Sequence, residues 1–196
     1  MAGRSRACWV YAVRTTGVYW RPTCPARQPR PERRVVQHPA ARQAGVVTQQ
    51  TFLVRPPGPA DQPRWRQLYA GYAAFYQVQQ TEQAADQVWQ WINDPGHEVN
   101  ALLAQDGTGE VVALAHYRTF ARPLTASTGC FLDDLYVAEP FRGTGAVDAL
   151  LEKLRNLARQ HGWSVVRWIT AEDNARARAK YDQIATRTTW ITYDMT

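Results

Sequence analysis

From Thr51 onward the chain alternates between two apolar rhythms. Trp65, Leu68, Tyr69, Tyr72, Phe75 and Tyr76 recur at three and four residues. That spacing predicts a helix with an aromatic face. Asp61 precedes it as an N-cap signal, with Pro63 close behind. A second helix is predicted from Thr81-Glu82, with Val88, Trp89 and Ile92 on its apolar side and Asp94-Pro95-Gly96 as its stop. Thr51 to Arg55, Glu98 to Ala104, Val111 to Phe120 and Phe131 to Val137 are short β-favouring runs. The second and third are joined by the turn residues 105–109, and Arg122 to Gly129 reads as a loop. Leu150, Leu151, Leu154, Leu157 and Ala158 return to helical spacing, closed by the glycine signal at His161-Gly162. Trp163 to Thr170 predicts another strand, Asn174 to Ile184 another helix, and Thr188 to Tyr193 a final strand. The order β-α-α-β-β-β-α-β-α-β predicts an α/β fold, a mixed sheet with helices on both faces.

Residues 1–46 have a different texture. They hold Pro22, Pro25, Pro29, Pro31 and Pro39 and no sustained period. Residues 1–50 carry nine arginines and one acid, Glu32, a balance of +8, while residues 51–196 carry 14 bases and 16 acids, a balance of −2. The overall charge of +6 therefore belongs to the tail and does not predict nucleic-acid binding by the globular part. Such a segment buries too little to offset its ordering entropy, so 1–46 is expected to be a disordered Arg/Pro-rich extension. A transit peptide, a basic arm and translated sequence upstream of the real start fit the same composition. The folded domain is expected over 47–196. Nothing approaches the roughly 20 apolar residues of a membrane span. Cys8, Cys24 and Cys130 are too few and scattered for a disulfide framework or a zinc site, which fits a reducing, cytoplasmic setting.

The chemistry concentrates late in the chain. Arg142-Gly143-Thr144-Gly145 lies between a strand and a helix. Glycines at a helix mouth let backbone N–H groups close around an anion, and the helix dipole adds positive potential there. That is the form of a pyrophosphate cradle. Asn174, Ala177 and Tyr181 then fall on one helix face, with a small residue between an amide and a phenol, so a thin ligand has room along it.

On these motifs the chain from about Thr51 to Thr196 resembles the GCN5-related N-acetyltransferase (GNAT) superfamily. The family's [Q/R]-x-x-G-x-[G/A] motif falls on Arg142, Gly145 and Val147, and its N-x-x-A-x-x-x-Y motif on Asn174, Ala177 and Tyr181. FLDDLYV, WITAEDN and the aromatic first helix look most like the branch that acetylates polyamines and histone-type amines. The resemblance implies a mostly antiparallel GNAT-like sheet flanked by helices and acetyl-CoA as co-substrate, without a metal. Leu135, Tyr136 and Val137 would offer backbone groups to the pantetheine arm. Backbone N–H groups of Arg142, Gly143, Thr144, Gly145, Ala146 and Val147 would hold the pyrophosphate. Asn174 would bind the pantetheine side, and Tyr181 would protonate the leaving thiolate. The attacking amine needs a base. Strand alternation puts Asp133 and Asp134 on opposite faces, Asp133 sharing that of Leu135 and Val137. Asp133 is preferred, Asp134 is read as a structural acid, and Glu172 is a further candidate. Asp173 is read as the cap of the helix at Asn174.

Two departures stand out. Val147 replaces Gly or Ala, and Ala185-Thr186 replaces the usual Gly-Phe. The expected activity is direct acetyl transfer to a primary amine, of a polyamine, a small diamine or a lysine-bearing peptide. A non-catalytic acyl-CoA-binding module with the same fold is the alternative. Family members commonly pair, so a homodimer is possible. His97, His116 and His161 lack metal spacing and read as surface or packing residues. Cys130 reads as a buried strand residue, and Trp163, Trp168 and Trp190 as core or interface.

Overall fold

The computed structural model describes residues 51–195, and the expected extension over 1–46 lies outside them. Five strands run in the order β1 (Leu53–Arg55), β2 (Val99–Gln105), β3 (Val111–Arg122), β4 (Ser127–Val137) and β5 (Val166–Arg167). All neighbours are antiparallel except β4 and β5, which are parallel. The helices are α1 (Gln62–Phe75), α2 (Glu82–Asn93), α3 (Ala146–His161) and α4 (Ala175–Ile184). The mixed α/β architecture agrees with the expectation.

Strand alternation sorts the core into two layers. Leu102 and Ala104 of β2 and Ala113 and Ala115 of β3 pack with Leu150, Leu151 and Leu154 of α3. Leu103 and Leu114 face the other way, against Trp65 and Leu68 of α1. Each of these leucines contributes about 1.5–3 kcal/mol through burial. Local signals set the helix ends. Thr81 caps α2 by accepting from the Ala84 N–H at 3.1 Å. Gly162, at φ 69°, closes α3. Asp61 precedes α1 but its carboxylate turns back, to the Gly58 N–H at 2.6 Å and to Arg55.

Four expectations need correction. Thr188 to Tyr193 forms no strand; residues 186–195 are exposed throughout, with Trp190 83 % accessible. β-favouring side chains make a strand only where a pleated, half-buried surface receives them. The strand expected over Trp163 to Thr170 shortens to two residues, and the loop expected at Arg122 to Gly129 is largely absorbed by β3 and β4. Asp133 and Asp134 do not lie on opposite faces. His116 pairs with Asp134 and Tyr117 with Leu132, so Asp133 is the extra residue of a β-bulge. The bulge reverses the strand's parity. Cys130 and Leu132 before it, and Leu135 and Val137 after it, all face α3. Asp133 meets Arg118 and Asp134 meets His116, two β3 residues on the α1 face.

Candidate active site

β5 pairs with β4 only at Cys130 and Phe131. Beyond them, among the described residues, the β5 side of β4 has no partner strand from Leu132 to Val137. A cleft of about 460 Å³ opens there. Leu135, Tyr136 and Val137 form one wall, and Ile169, Thr170 and α4 form the other. The α3 N-terminus lines it too, with Tyr72 and Phe75 of α1 and Tyr76, the C-cap of that helix. The aromatic stripe is thus divided. Trp65 and Leu68 are core, while residues one and two turns further on line the cleft.

The glycine turn stands at the cleft. Gly143 and Gly145 have φ of 90° and 104°, a region that penalises any Cβ. Gly145 is the N-cap of α3, and no side chain caps that helix, so its first N–H groups keep no intrahelical partner. The Thr144 hydroxyl donates to the Phe141 carbonyl at 2.7 Å and tightens the turn. The Arg142 guanidinium lies 5.8 Å from the ring centres of both Phe75 and Tyr136, and its Nε donates to the Val137 carbonyl at 3.4 Å. Ala146 is buried; Val147 lines the cleft and also packs against the α3-side core.

On the opposite wall Asn174, not Asp173, caps α4. Its Oδ1 accepts from the Ala177 N–H at 3.3 Å and its Nδ2 donates to Thr170 Oγ1 at 3.4 Å. Tyr181 packs edge-on against Trp168 at 5.2 Å. Burial first, then the nearby Tyr76 phenol, pushes the Tyr181 phenol above its usual range, so it holds its proton at neutral pH. Lys180 pairs with Asp148 at the rim.

The structure brings the expected cofactor residues other than Thr144, together with Tyr181, around this one cleft. It brings none of the three candidate bases, Asp133, Asp134 and Glu172, to its lining. Asp133 accepts from Arg118 Nε at 3.2 Å, while burial, its largest influence, raises its pKa. Asp134 accepts at 2.8 Å from His116, which reaches Trp65 on its other side at 2.9 Å. Sequence reasoning read His116 as a packing residue and missed this connection; its spacing from Asp134 carries no local signal. Burial pushes the Cys130 thiol up to about 12, so it is no nucleophile at neutral pH. Among the described residues no cluster of His, Cys, Asp or Glu could hold a metal, and no helix is long and apolar enough to cross a membrane.

The acetyltransferase (GNAT) family model matches residues 65–185. A D-amino-acid N-acetyltransferase (HPA3) of Saccharomyces cerevisiae is 28 % identical over 143 residues, covering 72 % of this chain and 89 % of the relative. A ribosomal-protein-alanine N-acetyltransferase from Brucella melitensis aligns with TM-score 0.63 at 22 % identity, over 74 % of this chain and 99 % of that one. An aminoglycoside N-acetyltransferase in complex with CoA aligns at 0.64 and 14 % identity, over 75 % of this chain and 95 % of that one. The chain belongs to the GNAT acetyltransferase family and is an N-acetyltransferase. A second model, the metal binding domain of Ada, matches residues 3–46, outside the described residues. That segment holds Cys8, Cys24 and His38, fewer Cys and His donors than a closed tetrahedral zinc site takes.

Proposed function

We propose that this enzyme transfers the acetyl group of acetyl-CoA directly to the primary amine of a polyamine, a small diamine or a lysine-type side chain. The observation that carries the reading is the convergence of an uncapped, glycine-built helix mouth and a half-buried phenol on one cleft. The N–H groups from Arg142 to Val147 would hold the pyrophosphate, with Arg142 adding charge. The unpaired edge at Leu135, Tyr136 and Val137 suits the amides of the pantetheine arm, and Asn174 faces it from α4. Bound acetyl-CoA supplies an activated thioester. Tyr181 donates its proton to the departing sulfur, and a carboxylate of the Asp133–Asp134 pair takes one from the amine. A backbone N–H near Leu135 would polarise the acyl oxygen.

The carboxylates and phenols at the α1 end favour a cationic acceptor. A D-amino acid is a second reading, favoured by the named activity of the yeast relative. Thiol release from acetyl-CoA, followed over polyamines, diamines, lysine peptides and D-amino acids, tests both. Turnover with one class establishes the reaction and its acceptor. Acetyl-CoA binding without turnover by any of them would favour the non-catalytic binding module. The reading includes a homodimer formed through the exposed aromatic residues near Trp190, and a cytoplasmic setting inferred from cysteine usage.

A further inference from the structure

The inference concerns the acceptor end of the cleft and rests on the acetyl transfer proposed above. Trp65 offers a single polar group, the indole N–H, which can only donate. It points at His116 Nε2 over 2.9 Å, so that nitrogen must accept and carries no proton. A neutral His116 then keeps its proton on Nδ1, 2.8 Å from Asp134 Oδ2. The tautomer follows from the two partners. Protonating Nε2 as well would set two N–H groups against each other in a site where Trp65 is 0 % and His116 2 % exposed. His116 is therefore placed as a clamp between Trp65 and Asp134.

Only Asp134 of the three reaches outward, its side chain 23 % exposed. The groups that face it are His116 from β3, its neighbour Asp133 with that residue's partner Arg118, and Tyr69 and Tyr72 from α1. Burial, and after it the Asp134 charge, raises both phenols, so Tyr72 stays a hydroxyl beside a carboxylate. Tyr72 lines the cleft. A Trp–His–Asp chain is a costly way to fill a core, since every buried polar group needs its partner and an apolar set of similar volume needs none. Its outward end adjoins Tyr72, a residue of the cleft lining, while the bulge sets Asp133 against Arg118.

We infer that Asp134 is the carboxylate that receives the acceptor amine, with Tyr72 beside it, and that His116, its tautomer set by Trp65, is the residue that positions it. The neutral amine nitrogen forms the new C–N bond as the C–S bond of the thioester breaks. Its N–H proton passes to Asp134, directly or through the Tyr72 hydroxyl, and the Tyr181 proton goes to sulfur. Asp134 afterwards releases its proton to water, and Tyr181 regains one from water. The products are the acetamide and the free thiol.

The test uses the full chain, an amine on which the wild type turns over, and nitrogen NMR of the histidine rings. His116 is expected as the Nδ1–H tautomer. Asp134→Asn should lower kcat roughly a hundredfold with the acetyl-CoA KM kept within about twofold. His116→Ala should lower kcat/KM for the amine by roughly tenfold or more. His116→Asn, which keeps a donor near the Nδ1 position, should restore part of that loss, a rescue that simple core filling would not produce. An Nε2–H tautomer in the wild type, where no variant need fold, would overturn the inference. So would Asp134→Asn with undiminished kcat, or Asp133→Asn carrying the large loss instead. A wild type that acetylates no amine sinks the proposed function and this inference with it, whereas turnover that survives Asp134→Asn sinks only the inference.

Discussion

The Tyr136 hydroxyl occupies the space that a side chain at Gly71 would need. A Cβ built on Gly71 would stand 2.5 Å from that oxygen and 2.8 Å from the ring carbon bearing it. Glycine inside α1 costs about 1 kcal/mol in helix propensity relative to alanine. Its return is that β4 can press a cleft-lining tyrosine against the helix. Tyr136 in turn carries the Arg142 guanidinium over its ring.

Gly71→Ala is therefore expected to destabilise the enzyme despite alanine's better helix propensity. Overpacking of roughly 1–3 kcal/mol exceeds the propensity gain. The displaced Tyr136 should also raise the acetyl-CoA KM. Adding Tyr136→Phe removes the atom that collides first, so a double-mutant cycle should show a favourable coupling of roughly 0.5 kcal/mol or more. Urea unfolding of the four proteins measures it. Strict additivity would mean that the two residues do not meet in solution.

Gly145 separates backbone strain from crowding. Its φ is 104°, yet the nearest atom to an added Cβ is Phe52 Cε2 at 3.9 Å. Gly145→Ala thus meets no clash and pays only the left-handed penalty, roughly 1–2 kcal/mol. Relaxing that strain would rotate the N–H groups at the mouth of α3. We expect the acetyl-CoA KM to rise about tenfold with a smaller change in kcat. Gly107→Ala, with no neighbour within 4 Å and no positive φ, is the control and should behave as wild type. Equal KM values for the two variants would remove the turn from the binding site.

The parts of this site legible in the sequence are those whose signals are local. Gly143 and Gly145 announce a backbone conformation, and Asn174, Ala177 and Tyr181 share a helix face by spacing alone. The Leu150–Leu151–Leu154 pattern locates α3 with its C-terminal glycine. What was not legible depends on register. Nothing in FLDDLYV marks Asp133 as the extra residue, and a single insertion changes which later side chains share a face. The bulge is written in the pairing with His116 and Tyr117, residues 16 or more positions earlier. Thr188 to Tyr193 failed for the complementary reason. Its residues favour strands, but no sheet surface lies beneath them.

Four phenols, Tyr69, Tyr72, Tyr117 and Tyr181, are raised above 10.0, in each case chiefly by burial. In the unfolded chain they ionise near 10 while the folded protein keeps their protons. Above that pH the unfolded state binds fewer protons than the native state, so unfolding becomes easier as pH rises. The full stability is present below about pH 10 and is lost above it. Urea midpoints compared at about pH 9 and pH 11 should fall steeply, and Tyr181→Phe should reduce the fall. The same variant should lower kcat roughly a hundredfold at neutral pH, because it removes the proposed proton donor to the sulfur. A pH-independent midpoint would show that these phenols are solvated in solution, and Tyr181 would lose its claim to a protected proton.

The exposed C-terminal segment gives the last expectation. Trp190, Ile191 and Tyr193 are 83, 75 and 87 % accessible, so within one copy of the chain they contribute little burial to lose. Removing residues 187–196 should then shift the stability of a monomer by less than about 1 kcal/mol. A dimer held by these side chains would respond differently. Its apparent stability would depend on protein concentration, and the deletion would abolish that dependence together with the dimer. Sedimentation and thermal melts of both proteins over a range of concentrations distinguish the cases. A small, concentration-independent shift assigns the segment to solvent. A large loss that appears only at concentrations where the full chain is dimeric assigns it to a second copy. A large loss in a full chain that sediments as a monomer would mean that these residues pack on their own domain in solution. The sixth strand expected from the sequence would then form after all.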